Sequence, residues 1–248
     1  MKKTVLITGV AGGIGTATAK LFSEKQWRVV GVDKKKIQGA FIDRFIKGDI
    51  SDKDNIFNII KEYTETEERM DALVNNAALQ ICGSLEKINI EQWDKLMNIN
   101  ARAPYFLTQC AAPLLGKSEG SVVNIGSVHA VATSKLMSLY AASKGAVLAM
   151  TRAIAVELAP MGVRVNTVLP GAVDTPMLRE GLMKDSEGIE LIEQKMMQLK
   201  KRHLQGRIGK PEEIAQMIYF LADEEKASFI TGQAICVDGG ATARLSTE

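Results

Sequence analysis

Short apolar runs punctuate the chain, and between them apolar residues return every three or four positions. The first pattern suits strands buried on both faces, and the second suits helices laid against them. Runs at 5–7, 28–32, 72–75, 121–125, 164–169 and 234–237 predict strands, with a shorter one at 44–47. Helices are predicted from the first glycine-rich turn to residue 25, and over 52–67, 90–115, 139–158 and 212–222. Pro104 falls inside the 90–115 stretch, where it should kink or break the helix, and Pro211 suits a first helical turn. Strands and helices alternating in this way imply an α/β fold. The expected form is one doubly wound parallel sheet of about seven strands, helices on both faces, in a single domain over 1–248. One stretch breaks the rhythm. Residues 174–209 mix Met177, Leu178, Leu182, Ile192, Met196 and Leu199 with many charges. This predicts one or two amphipathic helices forming an excursion that could serve as a lid.

Composition narrows the classes. A chain of 248 residues with 46% hydrophobic and 24% charged positions can build one sizeable core. A net charge of +2 gives no reason to expect nucleic acid or an anionic membrane as partner. The apolar run after Lys2-Lys3 is too short for a signal peptide and breaks at Gly9, and no stretch reads as a membrane span, so a cytoplasmic protein is expected. Cys82, Cys110 and Cys236 lack metal-like or redox-like spacing and are expected as buried free thiols. With His129 and His203 the only histidines, no metal site is expected.

Candidate chemistry lies at the strand ends. Thr8-Gly9-Val10-Ala11-Gly12-Gly13-Ile14-Gly15 follows the first strand and opens the first helix. Glycines there allow a tight turn and close approach of a pyrophosphate, and the helix N-terminus offers free N–H groups. Asp33 ends the second strand, where an acid accepts the adenosine ribose hydroxyls and repels a 2′-phosphate. Lys34-Lys35-Lys36 could neutralise such a phosphate; taken as a solvated loop, they leave NAD favoured over NADP. Tyr140 and Lys144 lie one helical turn apart, so the ammonium could favour the phenolate and lower its pKa. A phenol so tuned can exchange a proton with a carbonyl or alcohol oxygen, which the Ser127 hydroxyl could hold.

Together these motifs resemble those of the short-chain dehydrogenase/reductase family along essentially the whole chain. They comprise the Gly9–Gly15 turn, Asn75-Asn76-Ala77-Ala78, Asn100, Ser127 with Tyr140 and Lys144, Pro170-Gly171, and Thr231 through Asp238-Gly239-Gly240. The resemblance implies a Rossmann-type fold and hydride transfer between a nicotinamide and a secondary alcohol or ketone. Tyr140 would be the general acid/base, Lys144 its modulator and a ribose ligand, and Ser127 the holder of the substrate oxygen. Asn100 would hold a water of a proton relay. Asp49 would face the adenine with Ile50 beside it, and Asn76 and Ala77 would lie along the cofactor. Pro170, Gly171, Val173 and Thr175 would line the nicotinamide. His129 could line the substrate pocket or be an ordinary loop histidine. Ala78 and Gly126 depart from the family's usual glycine and serine. A polar, ring-bearing alcohol such as a sugar is the preferred substrate class. A 3-oxoacyl-thioester reductase is the enzymatic alternative, and a non-catalytic NAD-binding sensor or scaffold the alternative of another class. The resemblance also implies a homotetramer, with the helices over 90–115 and 139–158 able to supply its interface, and a dimer as the open alternative.

Overall fold

A computed structural model describes residues 2–37, 39–184 and 189–243. Seven parallel strands form one sheet in the order β3-β2-β1-β4-β5-β6-β7. They are β1 (Thr4–Thr8), β2 (Arg28–Asp33), β3 (Arg44–Lys47), β4 (Ala72–Asn75), β5 (Ser121–Ile125), β6 (Arg164–Pro170) and β7 (Ala234–Val237). The chain starts at the middle of the sheet, runs outward through β2 and β3, then returns to place β4 on the other side of β1. The order therefore reverses at β1 and β4, and a crevice opens beyond their carboxyl ends, where ligands of such sheets bind.

Alternate side chains of β1 supply both cores. Val5 and Ile7 join Phe22 of α1 (Gly13–Glu24) and Ile214, Ile218 and Tyr219 of α8 (Pro211–Ala222) on one face. There Phe22, Trp27 and Tyr219 meet edge to face, with Phe22 ring centroids 5.0 and 5.3 Å from the other two. Leu6 points the other way. It joins Ile59 and Tyr63 of α2 (Lys53–Thr64), Leu107 and Leu115 of α4 (Ala103–Ser118), and Ile154 of α5 (Ser138–Leu158). Asp52 caps α2 by accepting the Asp54 N–H. Between β2 and β3 no helix occurs among the described residues.

Three expectations need correction. The 90–115 helix is two helices, α3 (Ile90–Met97) and α4, joined by a wide π turn over Asn98–Arg102. In that turn Ala103 donates to the Asn98 carbonyl, and Pro104 has no N–H for the Asn100 carbonyl four residues back. The cysteines are not buried: Cys82 and Cys110 are half-buried, and Cys236 is exposed because β7 is an edge strand. One stretch, Ser138–Met161, is long and apolar enough by length and composition to cross a membrane. It is α5 with its terminal turn, packed into the core beside the sheet through Ile154 and Ala155. The 174–209 excursion holds two helices, α6 (Pro176–Lys184) and α7 (Ile189–Arg202), while residues 185–188 lie outside the described part. A parallel bridge between Val173 and Gly209 closes its base.

Candidate active site

The glycine-rich turn is shaped by close contacts that only glycine tolerates. Gly9 has φ +67°, and a Cβ there would lie 2.6 Å from the Ala77 Cα. A Cβ on Gly15 would lie 2.2 Å from the Gly9 carbonyl oxygen. The turn and the end of β4 are laced together: Asn76 Nδ2 donates to the Thr8 and Gly9 carbonyls, each at 3.0 Å, and the Thr8 hydroxyl accepts from the Asn76 and Ala77 N–H groups. Asn75 is the last residue of β4 and points into the core, donating to Asn124 and Thr108. No side chain caps α1, whose N-cap is Gly12, so its first N–H groups can receive an anion. A cleft of about 250 Å³ opens there, lined by Ala11, Gly12, Gly13, Thr16, Lys20 and Pro176 among others. These features fit a pyrophosphate.

Around this cradle stand the other residues singled out by sequence. Asp33 accepts the Ala11 N–H at 3.0 Å through one oxygen and the Lys35 N–H at 2.9 Å through the other. Each oxygen keeps a lone pair for a ribose hydroxyl. Asp49 accepts the Ser51 N–H at 2.9 Å. Burial works against its charge, but the Ser51 bonds and the nearby Lys34 and Lys95 hold its carboxyl below the usual range. Ile50 is buried in the core beside it. At the end of β6, the 170–175 segment crosses back toward α1. Val173 is buried, and Thr175 sits so close to Gly13 that a Cβ there would lie 2.9 Å from its methyl.

The proton-transfer group assembles beyond β5. Ser127 follows the strand in extended conformation and hydrogen-bonds the Tyr140 phenol. Tyr140 and Lys144 occupy adjacent turns of α5 and are 8% and 2% exposed. The expectation that Lys144 lowers the Tyr140 pKa is not met in this arrangement. Burial pushes the phenol up to about 12, against the opposing bond from Ser127. The Lys144 Nζ instead donates to the Ile125 carbonyl at 2.7 Å and lies 5.7 Å from the Tyr140 ring centroid. Burial brings that ammonium down to about 8. Asn100 sits one layer behind. Its amide accepts the Leu79 N–H at 2.8 Å and donates to the Leu79 carbonyl at 2.9 Å and the Ser143 hydroxyl at 3.0 Å. These bonds tie the π turn to α5. Gly126 is small for a reason: a Cβ there would lie 2.5 Å from Leu169 Cδ2.

His129 forms part of the same wall. Its N–H donates to the Ser127 oxygen at 3.2 Å, and its ring meets the Tyr140 ring edge to face at 5.8 Å. Burial pushes its imidazole pKa down. Two neighbours carried no sequence signal. The Gln80 amide donates to Cys82 Sγ and Met137 Sδ, and Cys82 lies near enough to Tyr140 to influence its charge. Only the fold brings the 80–82 loop against the start of α5. Among the described residues no cluster of His, Cys, Asp and Glu could hold a metal.

A family profile described as enoyl-(acyl carrier protein) reductase matches residues 9–242. The chain is 36% identical over 250 residues to a 3-oxoacyl-acyl-carrier-protein reductase of Thermotoga maritima, covering 96% of this chain and 97% of that one. The ligand-free aldohexose dehydrogenase of Thermoplasma acidophilum superposes with a TM-score of 0.93 at 33% identity, over 99% of this chain and 96% of that one. The NADP-bound structure of ElxO superposes with a TM-score of 0.87 at 29% identity, over 98% and 100% of the two chains. The chain belongs to the short-chain dehydrogenase/reductase family and is a nicotinamide-dependent oxidoreductase acting on CH–OH groups.

Proposed function

We propose that this enzyme is an NAD-linked dehydrogenase of a polar, hydroxylated small molecule, with Tyr140 as its general acid/base. The observation that carries this reading is the meeting of Ser127, Tyr140 and Lys144 beyond β5, beside the switch point where the glycine-rich turn and Asp33 lie. The bound nicotinamide supplies the carbon that takes up or returns the hydride. Ser127 holds the substrate oxygen, and the Tyr140 phenol oxygen exchanges its proton. Lys144 leaves the Ile125 carbonyl to stabilise the phenolate and to reach the nicotinamide ribose. Asn100 fixes the Leu79 backbone and holds a water that carries the proton outward.

Gly9, Gly12, Gly13, Ile14 and Gly15 cradle the pyrophosphate, Asp49 and Ile50 flank the adenine, and Asn76 and Ala77 support the far ribose. Pro170, Gly171, Val173 and Thr175 face the nicotinamide. Asp33 supports NAD over NADP: its carboxylate stands directly over Ala11, where a 2′-phosphate would meet a like charge. His129 against Tyr140 supports a polar substrate, since it offers a ring nitrogen beside the reacting oxygen. The described helices α6 and α7 of the 174–209 excursion form the lid. The Thermotoga relative favours a second reading, a 3-oxoacyl-thioester reductase.

Steady-state rates with NAD and NADP across sugars, polyols, cyclic diols and 3-hydroxyacyl thioesters decide between them. Turnover confined to thioesters with NADP would overturn the first reading, and NAD binding without any turnover would leave a sensor. We also propose a cytoplasmic homotetramer, assembled in part through α4 and α5, whose Tyr105 and Val156 are 40% and 75% exposed. A monomeric mass by light scattering would refute that assembly.

A further inference from the structure

His203 is the one buried histidine among the described residues, and the chemistry above does not use it. It sits just past the last turn of α7 and is 5% exposed. Both ring nitrogens are engaged. Nδ1 lies 2.7 Å from the Leu199 carbonyl, and Nε2 lies 3.2 Å from the Ala172 backbone nitrogen. A carbonyl only accepts and a backbone N–H only donates. The ring is therefore neutral here, with its proton on Nδ1.

The ring is also wedged between two glycines. A Cβ on Gly171 would lie 3.0 Å from Nε2, and one on Gly239 would lie 3.5 Å from Cδ2. One imidazole thus joins the end of the lid, the segment leaving β6 and the turn after β7. The other tie at the lid's base is the Val173 and Gly209 bridge, with Gly209 donating to the Ala172 carbonyl at 2.8 Å and Asp174 donating to the Gly209 carbonyl at 2.9 Å. His203 and this bridge hold opposite sides of the same peptide: the N–H of Ala172 goes to the ring, and its carbonyl goes to Gly209.

We propose that His203 is a positioning residue, which fixes the 170–175 segment at the nicotinamide and couples it to the lid through the Ala172 N–H. This rests on the assignment of that segment to the nicotinamide. A side chain that cannot accept the Ala172 N–H leaves the segment untied from the lid. The charged groups on the elements packed around the ring are Asp238 after β7, Lys200, Lys201 and Arg202 of α7, Asp174 and Arg179 at the lid's start, and Arg207 and Glu213 at its end. Asp238 is occupied by the Gly240 and Thr242 N–H groups and the Thr242 hydroxyl.

The test compares His203→Leu with His203→Gln, whose amide can both donate and accept. Under this proposal His203→Leu raises the KM for cofactor and substrate by about tenfold or more. His203→Gln returns both to within about threefold, since its amide can still accept the Ala172 N–H. Limited tryptic cleavage after Lys200–Arg202 gives a readout independent of activity, and should be faster in His203→Leu than in His203→Gln. Parent-like kinetics and cleavage in a folded His203→Leu would overturn the proposal, as would equal impairment of both variants. If His203→Leu does not fold, His203→Asn, whose shorter amide cannot span the Leu199 carbonyl and the Ala172 N–H, takes its place: parent-like KM values and cleavage in that variant overturn the proposal. Changed cleavage with unchanged KM values would keep the tie to the lid and overturn only the nicotinamide assignment of 170–175.

Discussion

Lys144→Met separates what the buried ammonium costs the fold from what it gives the chemistry. The side chain is 2% exposed, and burial lowers its pKa from 10.5 to about 8. Above the unfolded value the amine is neutral in both states and burial carries no charge penalty. As pH falls toward the folded value, the unfolded chain takes up a proton that the folded chain resists, so stability is lost. Below both values the penalty is complete, at about 3 kcal/mol for a shift of this size. Between about pH 7 and about pH 9.5 the parent should therefore gain about 2 kcal/mol relative to Lys144→Met. The variant lacks the 2.7 Å bond to the Ile125 carbonyl, and a charge-assisted bond of this kind contributes about 1.5–3 kcal/mol. The two terms nearly cancel at neutral pH, so the variant should be about as stable as the parent there while losing turnover. Urea unfolding of both proteins across that range measures the difference. Tyr140 moves the opposite way, its raised pKa adding stability that is lost only as pH climbs from 10 toward about 12, outside the window. A stability difference that does not change with pH would refute the burial argument, because it would mean that Lys144 keeps an ordinary pKa inside the fold.

Other expectations follow from single contacts. Tyr140→Phe should lower kcat by about 10²–10⁴-fold while cofactor binding, read by fluorescence titration, stays within about threefold. Gly15→Ala places a Cβ 2.2 Å from the Gly9 carbonyl oxygen, so the turn must open. Denaturant unfolding should show a loss of about 1–3 kcal/mol, and calorimetry a weakened cofactor affinity. Asp33→Ser removes the charge over Ala11 and should raise the NADP-to-NAD ratio of kcat/KM by about tenfold or more. Asn100→Leu removes the three bonds that hold Leu79 and Ser143, costing about 2–4 kcal/mol in thermal or urea unfolding.

Much of this was legible in the chain itself. The alternation of apolar runs with helical stripes gave every strand of the sheet, because strands buried on both faces must be apolar throughout. The glycine-rich turn and the one-turn spacing of Tyr140 and Lys144 are local facts of covalent distance and helical period. The break at Asn98–Arg102 was half legible. Pro104 signalled it, but the wide turn also depends on Asn100 reaching Leu79 and Ser143, which are distant in sequence. The exposure of Cys236 was not legible, because an edge strand differs from a central one only in lacking a neighbour.

The sequence by itself determined the order of elements, the phosphate-type cradle and the cast of chemical groups, since each depends on residues within a turn or two of one another. Tertiary structure decided how those groups are tuned. It put Lys144 against the Ile125 carbonyl and raised the Tyr140 phenol instead of lowering it, because burial and hydrogen-bond partners come from residues far apart in the chain. It also carried His203 from the end of the lid to the Ala172 N–H, a contact across 31 residues that no periodicity records.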